Sequence, residues 1–226
     1  MSTLITEDGK VASGLPIDSR GLEDLYGPRQ VEPYTPPPSG IDNLGITATD
    51  TFQVPGKGEF VVDFTGFVRV SRTEPTSDNW TEAEVFTNLV EMRMVGRAEG
   101  IGRIIVSLNP DFLSTGQLGT PFEDLDKERP EKACRMAVGI EFSLPDLGLT
   151  LYNKEPVVLT IDNVQAIPPA GNPGIGRIYK MLPLFNRADP DGPPTAYLTA
   201  LKFAIGYYLT EAEVEAMRHQ EAIQVQ

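Results

Sequence analysis

The chain of 226 residues contains one cysteine and one histidine, the usual sources of a thiol nucleophile and a neutral-pH base. Cys134 lies in KACRMAVGIEF (132–142), where apolar residues alternate with polar or small ones. This alternation predicts that the thiol points into apolar packing, where its pKa rises and its reactivity falls. His219 lies far along the chain in a predicted C-terminal helix. We therefore expect Cys134 to fill space and His219 to be a solvated surface residue.

Other common catalytic and metal-binding patterns are missing from the sequence. One histidine and one cysteine cannot supply the usual zinc ligand sets, and no G-x-S-x-G motif is present. The stretch GNPGIG (171–176) opens no predicted helix, as a phosphate site would require. The acidic stretches 123–128 and 189–192 lack the ligand spacing of a calcium-binding EF-hand loop. We predict no metal, no cofactor and no assigned catalytic residue.

Polar side chains on predicted strands are the remaining candidates for a site. Five of them interrupt otherwise apolar regions: Glu91, Arg93, Arg135, Glu141 and Lys202. In an open sheet this polar face simply meets water. In a closed barrel it would line a lumen, where charges must pair, for example Arg135 with Glu141 or Glu91.

A lumen of that kind would suit acid–base chemistry. A carboxylate with a shifted pKa can act as a general acid or base, and tyrosines on the strands can assist by donating a hydrogen bond. The predicted ligand-binding residues are Glu91, Arg93, Arg135, Glu141 and Tyr207.

The strands that would carry these residues are predicted from a period of two. In GEFVVDFTGFVRVSR (58–72), apolar residues alternate with charged and small ones, which is typical of a strand with one wet face. The segments 132–142 and 195–209 alternate in the same way. Two stretches are predicted as loops: 113–132 and 168–176. Several short strands separated by turns predict an all-β antiparallel sandwich or flattened barrel.

The segment 81–95 is compatible with two structures. Apolar residues at helical spacing, and a Thr81–Glu84 pair that mimics a capping box, favour a helix. The β-branched and aromatic residues of the same segment favour a strand. We interpret it as a long strand with a bulge near Asn88, where the inward parity changes.

The two ends of the chain differ from its centre. Residues 1–40 contain three successive prolines and no alternating apolar run, which predicts an extended, partly disordered arm. In LTEAEVEAMRHQ, Thr210 and Glu213 form a capping box that predicts a short helix. The predicted organisation is an arm over 1–40, an all-β domain over 41–209 and a C-terminal helix and tail over 210–226.

The charge balance excludes some partners. The chain carries 32 acidic and 19 basic residues, a net charge of −13, which repels a phosphate backbone. No apolar run is long enough to span a membrane, and the N-terminus lacks the pattern of a secretory signal. We expect a soluble, cytoplasmic protein that binds neither nucleic acid nor membrane.

Two stretches resemble members of an uncharacterised bacterial all-β protein family, a domain of unknown function. They are SGIDNLGITATDTFQVPGKGEFVVDFTGFVRVSR (39–72) and NWTEAEVFTNLVEMRMVG (79–96). The likeness lies in an opening Gly-Ile-Asp, a Thr-Asp-Thr-Phe strand, and Asn-Trp before a long alternating segment. It covers most of residues 40–160, implies strand structure for 81–95, and transfers no site.

Two functions from different classes follow from these features. The first is a non-catalytic binding or assembly protein that forms homo-oligomers through its arm or its strand edges. The second is a small β-barrel that binds an apolar or amphiphilic small molecule. If that barrel is an enzyme, it is a metal-independent cyclase or isomerase that uses a lumen carboxylate. A pocket lined by Phe, Met and Tyr with a few polar groups favours the second function. An interior filled with side chains, together with a large contact between subunits, favours the first.

Overall fold

The computed structural model describes residues 35–80, 82–119, 132–164, 166–168, 173–177 and 181–223. Most of the predicted arm (1–34) and the acidic stretch 123–128 lie outside the described residues. The division of the chain into arm, domain and tail therefore stays a prediction.

Strands dominate the described part of the chain and form one antiparallel sheet. Four strands are long: β1 (Gly40–Val54), β2 (Gly58–Arg72), β3 (Val85–Ala98) and β12 (Ala196–Tyr208). The others are short: β4 (Gly102–Leu108), β5 (Thr115–Gly119), β6 (Lys132–Val138), β7 (Ile140–Leu144), β8 (Leu149–Asn153), β9 (Val157–Val164), β10 (Pro173–Arg177) and β11 (Leu182–Asn186). The predicted all-β antiparallel fold is confirmed.

The strand pairings close this sheet into a barrel with eight strand positions. The short strands fill four positions in pairs: β4 with β5, β7 with β6, β8 with β9, and β11 with β10. The long strands fill the other four, and β12 pairs with β1 from Leu44 to Gln53, which completes the ring. Neighbouring positions are also consecutive along the chain, so the architecture is an up-and-down barrel. Of the two predicted arrangements, the barrel is the one that forms.

Alternation along the strands sorts the side chains between the inside and the outside of the barrel. The inward residues of all eight positions form one buried apolar cluster. Within it the Phe52 ring packs edge-on against Phe64 and Phe142, with centroids 6.5 and 5.0 Å apart. An eight-stranded barrel has an interior just wide enough for side chains or for one small ligand. The apolar face is therefore the inner face, and the polar face meets solvent.

Two buried asparagines hold the barrel wall together at the level where the short strands end. Asn153 Oδ1 accepts a hydrogen bond from the backbone N–H of Ile140 (2.7 Å), and its Nδ2 donates to the carbonyl of Glu155 (2.7 Å). Asn109 Nδ2 donates to the carbonyl of Asn153 (2.9 Å), and its backbone N–H donates to the carbonyl of Gly139 (2.9 Å). These bonds satisfy backbone groups that an uninterrupted ladder would otherwise have paired.

The predicted strand over 132–142 is interrupted at Gly139, between β6 and β7. A Cβ atom at Gly139 would lie 2.8 Å from Cδ2 of Phe112 and 3.1 Å from Cβ of Asn109, so the loop after β4 packs against bare backbone there. Val138 and Ile140 on either side are both buried. The alternation continues across the break, which is why the sequence pattern does not reveal it.

The ambiguous segment 81–95 contributes most of strand β3, which confirms the strand interpretation. The register shifts between the pairs Leu89–Val70 and Glu91–Arg69, so that Val90 is the extra residue of a bulge. This bulge lies close to the predicted position at Asn88. Leu89 and Met92 are three positions apart and would point to opposite faces of a regular strand, but the bulge keeps both of them buried.

Two segments that were predicted as loops contain strands, and both predictions need correction. β5 lies within 113–132, and β10 lies within 168–176 apart from its last residue. Glycine makes these segments look like turns in the sequence. In β5, however, Gly116 is a packing requirement, because a Cβ atom there would lie 2.4 Å from Cγ of Met136.

Helix α1 (Glu211–Ile223) covers part of the outer wall. The predicted capping box is present, because the backbone N–H of Thr210 donates to the Glu213 carboxylate (2.7 Å) and the N–H of Glu213 donates to Thr210 Oγ1 (3.2 Å). Val214 is fully buried against Phe67, which points outward from β2. The predicted C-terminal helix is confirmed.

Replacing Asn153 by alanine is expected to lower the free energy of unfolding by about 3 kcal/mol, because buried backbone groups lose their partners. Urea denaturation followed by circular dichroism measures this loss. Gln53→Ala removes an exposed amide from β1 and is the matched control, with an expected change below about 0.5 kcal/mol. Equal effects of the two substitutions would contradict the role assigned to Asn153.

Candidate ligand-binding site

Two small cavities adjoin each other inside the barrel. Their volumes are about 60 and about 50 Å³. The first reaches the barrel end that carries Asp42 and Arg72, and the second reaches Phe203, nearer the middle. Both are bordered by the same five side chains: Val70, Cys134, Met136, Ile161 and Ile205. The lumen therefore contains unfilled apolar space on both sides of this group.

Cys134 lies where the two cavities meet. Its side chain is buried, and burial raises the pKa of the thiol to about 12, which keeps the thiol neutral at ordinary pH. His219 lies on α1 outside the barrel, with Nε2 3.0 Å from Oε1 of Glu215 and a largely exposed ring. The structure agrees with the prediction that Cys134 fills space and that His219 is a surface residue.

Charged side chains gather at the end of the barrel where β1 begins. Arg72 forms an ion pair with Asp42, and both side chains are almost fully buried. Lys132, at the start of β6, is 3% exposed, and its Nζ donates to the carbonyl of Ala83 (2.6 Å). The apolar lumen therefore has one end that is bordered by charge.

Besides Asp42, which borders the first cavity, a second carboxyl group lies inside the lumen. Asp50 shares the inward parity of Ala48 and Phe52, is 1% exposed, and is paired across the ladders with Val62 and Leu201. Its Oδ1 has no hydrogen-bond partner among the described residues. Burial raises the pKa of Asp50 from 3.8 to about 7. This carboxyl is therefore partly protonated at neutral pH.

The acidic residues predicted for the site lie on the outer wall. Glu91 accepts a hydrogen bond from Nε of Arg218 on α1 (2.9 Å) and lies 3.6 Å from Nη1 of Arg69. The hydrogen bond from Arg218 is the main reason that the pKa of Glu91 is lowered. Glu141 accepts a hydrogen bond from Nε of Arg187 (2.8 Å). The expectation that the polar face lines the lumen is corrected, because closure turns the apolar face inward.

The other predicted site residues are also distributed over the outside of the barrel. Arg93 alternates with inward-pointing methionines of β3, and Tyr207 is 71% exposed at the end of β12. Arg135 borders an open groove of about 700 Å³ on the outer wall, together with Phe86 and Leu113. A ligand-binding role for Glu91, Arg93, Arg135, Glu141 and Tyr207 stays a prediction, with the outer surface as its location.

Sequence reasoning missed Asp50. In the stretch ITATDTFQV it occupies the same parity as Ala48 and Phe52. That pattern places a carboxyl on the apolar face of β1, and it is visible in the sequence. This pattern indicates a buried carboxyl group only when the apolar face of β1 is known to enclose a lumen.

The fold and its apolar interior define the protein as an up-and-down β-barrel of the size that can hold one small ligand. The chain belongs to a family of unknown function (DUF6073), whose model matches residues 2–215. This confirms the predicted membership of an uncharacterised family.

A solved structure extends this comparison. The chain is similar to DynF from the dynemicin biosynthesis pathway of Micromonospora chersina, with 54% sequence identity and a TM-score of 0.76 over 88% of this chain and 95% of that chain. No curated protein matches the chain.

The described residues contain neither a cluster of metal ligands nor a membrane-spanning helix. In this part of the chain, no three His, Cys, Asp or Glu side chains are grouped so that they could hold a metal ion. None of its helices is both long and apolar enough to cross a membrane.

Replacing Asp50 by asparagine is expected to change the pH dependence of stability. The pKa of Asp50 is about 7 in the folded protein and 3.8 when the side chain is in water, as in the unfolded chain. Between these two pH values the folded wild type retains a proton that the unfolded chain loses. Wild-type stability therefore falls as the pH rises from about 4 to 7 and stays low above it. The free energy of unfolding of Asp50→Asn should exceed that of wild type by about 4 kcal/mol at pH 8, and the two should be nearly equal at pH 4.

Urea denaturation at several pH values measures this difference. The matched control is Asp63→Asn on the outer face of β2, where the carboxylate is exposed and accepts a hydrogen bond from Thr49 Oγ1 (2.6 Å). The control should not reproduce the gain at high pH. A difference between wild type and Asp50→Asn that does not vary with pH would show that no ionised carboxylate is buried at this position.

Proposed function

We propose that this protein binds an apolar or amphiphilic small molecule inside its barrel. The proposal is carried by one observation, a closed eight-position barrel with two adjoining cavities lined mainly by apolar side chains. Barrels of this size either fill with side chains or hold one small ligand. Unfilled space of about 60 and 50 Å³ supports the second alternative.

Flexible side chains support a lumen that adapts to its ligand. The cavities are smaller than the roughly 300 Å³ that ligand pockets usually reach, so a bound molecule needs some repacking. Met92 and Met136 line the cavities, and Met94 is buried on the same strand as Met92. Methionine has three rotatable bonds and a polarizable thioether, which lets it fill or vacate irregular space at little cost.

The distribution of charge supports an amphiphilic ligand. Asp42, Arg72 and Lys132 are all at one end of an otherwise apolar lumen, where the polar part of a ligand would meet them. Glu91 and Glu141, the carboxylates first considered for acid–base chemistry, are both engaged in ion pairs on the outer wall.

The comparison with DynF supports a place in a biosynthetic pathway, since that protein comes from one and is 54% identical to this chain where the two match. A soluble, cytoplasmic protein is part of this proposal, and the net charge of −13 is consistent with it.

Binding of the apolar fluorescent probe N-phenyl-1-naphthylamine tests this function. Wild type should enhance its emission in a saturable manner. Cys134→Leu adds bulk where both cavities meet and should weaken binding at least tenfold, because overpacked space has little room to relax. Thermal unfolding of the variant checks that it is folded.

The control for this experiment is Thr47→Leu, which places the same side chain on the outside of β1. It should bind the probe as wild type does. Equal binding by wild type and by folded Cys134→Leu would place the probe on the outer surface and overturn the lumen as the site.

We also propose, as a second function, that copies of this chain associate through their outer surface or the predicted N-terminal arm. Large apolar side chains are exposed where β1 begins and β12 ends: Ile41 (56%), Tyr207 (71%) and Tyr208 (57%). Exposed apolar patches commonly mark interaction surfaces. Pairing of free strand edges has less support, because β1 and β12 are paired with each other.

Light scattering on the full chain and on a chain that lacks residues 1–34 tests this association. The full chain should have the mass of an oligomer. The truncated chain should dissociate into monomers at a higher protein concentration than the full chain, because it has lost contact area. A monomeric full chain would exclude the proposal. An oligomer that is unaffected by truncation would exclude the arm and leave the outer wall as the contact.

A further inference from the structure

We propose that Asp50 is a specificity-determining residue of the lumen and selects apolar molecules that carry a hydroxyl group. The inference rests on the proposed binding function and adds the chemical class of the ligand. It is drawn from the placement of a carboxyl group within an apolar interior and from the lack of a hydrogen-bond partner for its Oδ1 among the described residues.

Asp50 lies one inward position beyond Phe203, the residue that borders the cavity on this side of the lumen. On β1, Ala48 pairs with Phe203, which borders the 50 Å³ cavity, and Asp50 is the next inward residue along the strand. Successive inward residues of a strand are roughly 7 Å apart. A ligand that fills the cavity and displaces the Phe203 ring would therefore reach the carboxyl group.

The surroundings of Asp50 provide no hydrogen bond to its Oδ1 among the described residues. Its ladder partners, Val62 and Leu201, have no polar side-chain atoms. The hydroxyl group of Thr199, on the neighbouring strand, donates instead to the carbonyl of Thr51 (3.1 Å). A buried polar atom without a partner raises the free energy of the folded protein, so a ligand that supplies the partner gains affinity.

A hydroxyl group fits this position better than a charged group. It donates to a carboxylate and accepts from a carboxylic acid, so it can pair with Asp50 in either protonation state. A ligand carboxylate would be repelled by the ionised side chain, and an ammonium group would lose its hydration in the apolar lumen. The rings of Phe52 and Phe64, at neighbouring inward positions, favour a flat apolar body around that hydroxyl.

The test compares 2-naphthol with naphthalene, which differ by one hydroxyl group, by titration at pH 7. Wild type should bind 2-naphthol at least about tenfold more tightly, the usual gain from a hydrogen bond to a charged or buried group. Asp50→Leu should bring the ratio of the two affinities close to one and leave naphthalene binding unchanged or stronger. This variant should fold well, because it removes an unpaired polar group from an apolar interior.

Two further variants separate recognition from general effects on the lumen. Asp63→Leu removes a carboxylate from the neighbouring strand but on the outer face, and should keep the wild-type ratio. Asp50→Asn keeps the shape and a neutral hydrogen-bonding group, and should give an intermediate ratio.

Each outcome decides between the proposals. A wild-type preference that survives in Asp50→Leu, or no preference in wild type, overturns the role of Asp50 while the binding function stands. Failure of folded wild type to bind either compound overturns both. Loss of the preference in Asp50→Leu, with retained binding of naphthalene, supports the assignment.

Discussion

The buried side-chain amides of Asn109 and Asn153 connect the short strands on the two sides of the break in the barrel wall, and the rest of the architecture depends on them. Four of the eight strand positions are interrupted at one level, where an unbroken ladder would have paired every backbone group. Asn109 and Asn153 supply the missing donors and acceptors there, with both side chains fully buried. The guanidinium of Arg187 then links Asn109 to Asp111 and Glu141 and stacks on Tyr152, so the outer surface is tied to the same level.

This construction separates the charges of the molecule from its interior. Arg218 and Arg69 hold Glu91 beneath helix α1, and Arg187 holds Glu141, so these carboxylates stabilise the outer wall. The lumen is left to apolar side chains, methionines and unfilled space. Asp50 is the exception, because it lies in the lumen without a partner for Oδ1 among the described residues, and its burial works against stability at neutral pH. Groups of this kind are often kept for binding rather than for folding.

Several features could be read from the sequence because they depend on neighbouring residues. The alternation in 58–72 and 132–142 predicted strands, and the apolar parity of Cys134 predicted a buried, unreactive thiol. Thr210 and Glu213 predicted the start of helix α1 through a purely local hydrogen-bond pattern. Strands β5 and β10 were missed, because glycines such as Gly116 look like turn residues when the chain that packs against them is unknown. The break at Gly139 was missed because parity is the same on both sides of it.

The sequence by itself therefore determined which residues share a face of each strand, where the final helix begins, and that one cysteine and one histidine would not form a catalytic pair. Only the tertiary structure decided which face became the inside. That choice depends on the pairing of β1 with β12, a contact between residues about 150 positions apart that no local pattern encodes. Closure enclosed the apolar face, because burial of apolar side chains is favourable and burial of unpaired charges is costly. It also placed Asp50, one acidic residue among many in the sequence, inside the lumen, and it left Glu91 and Glu141 outside.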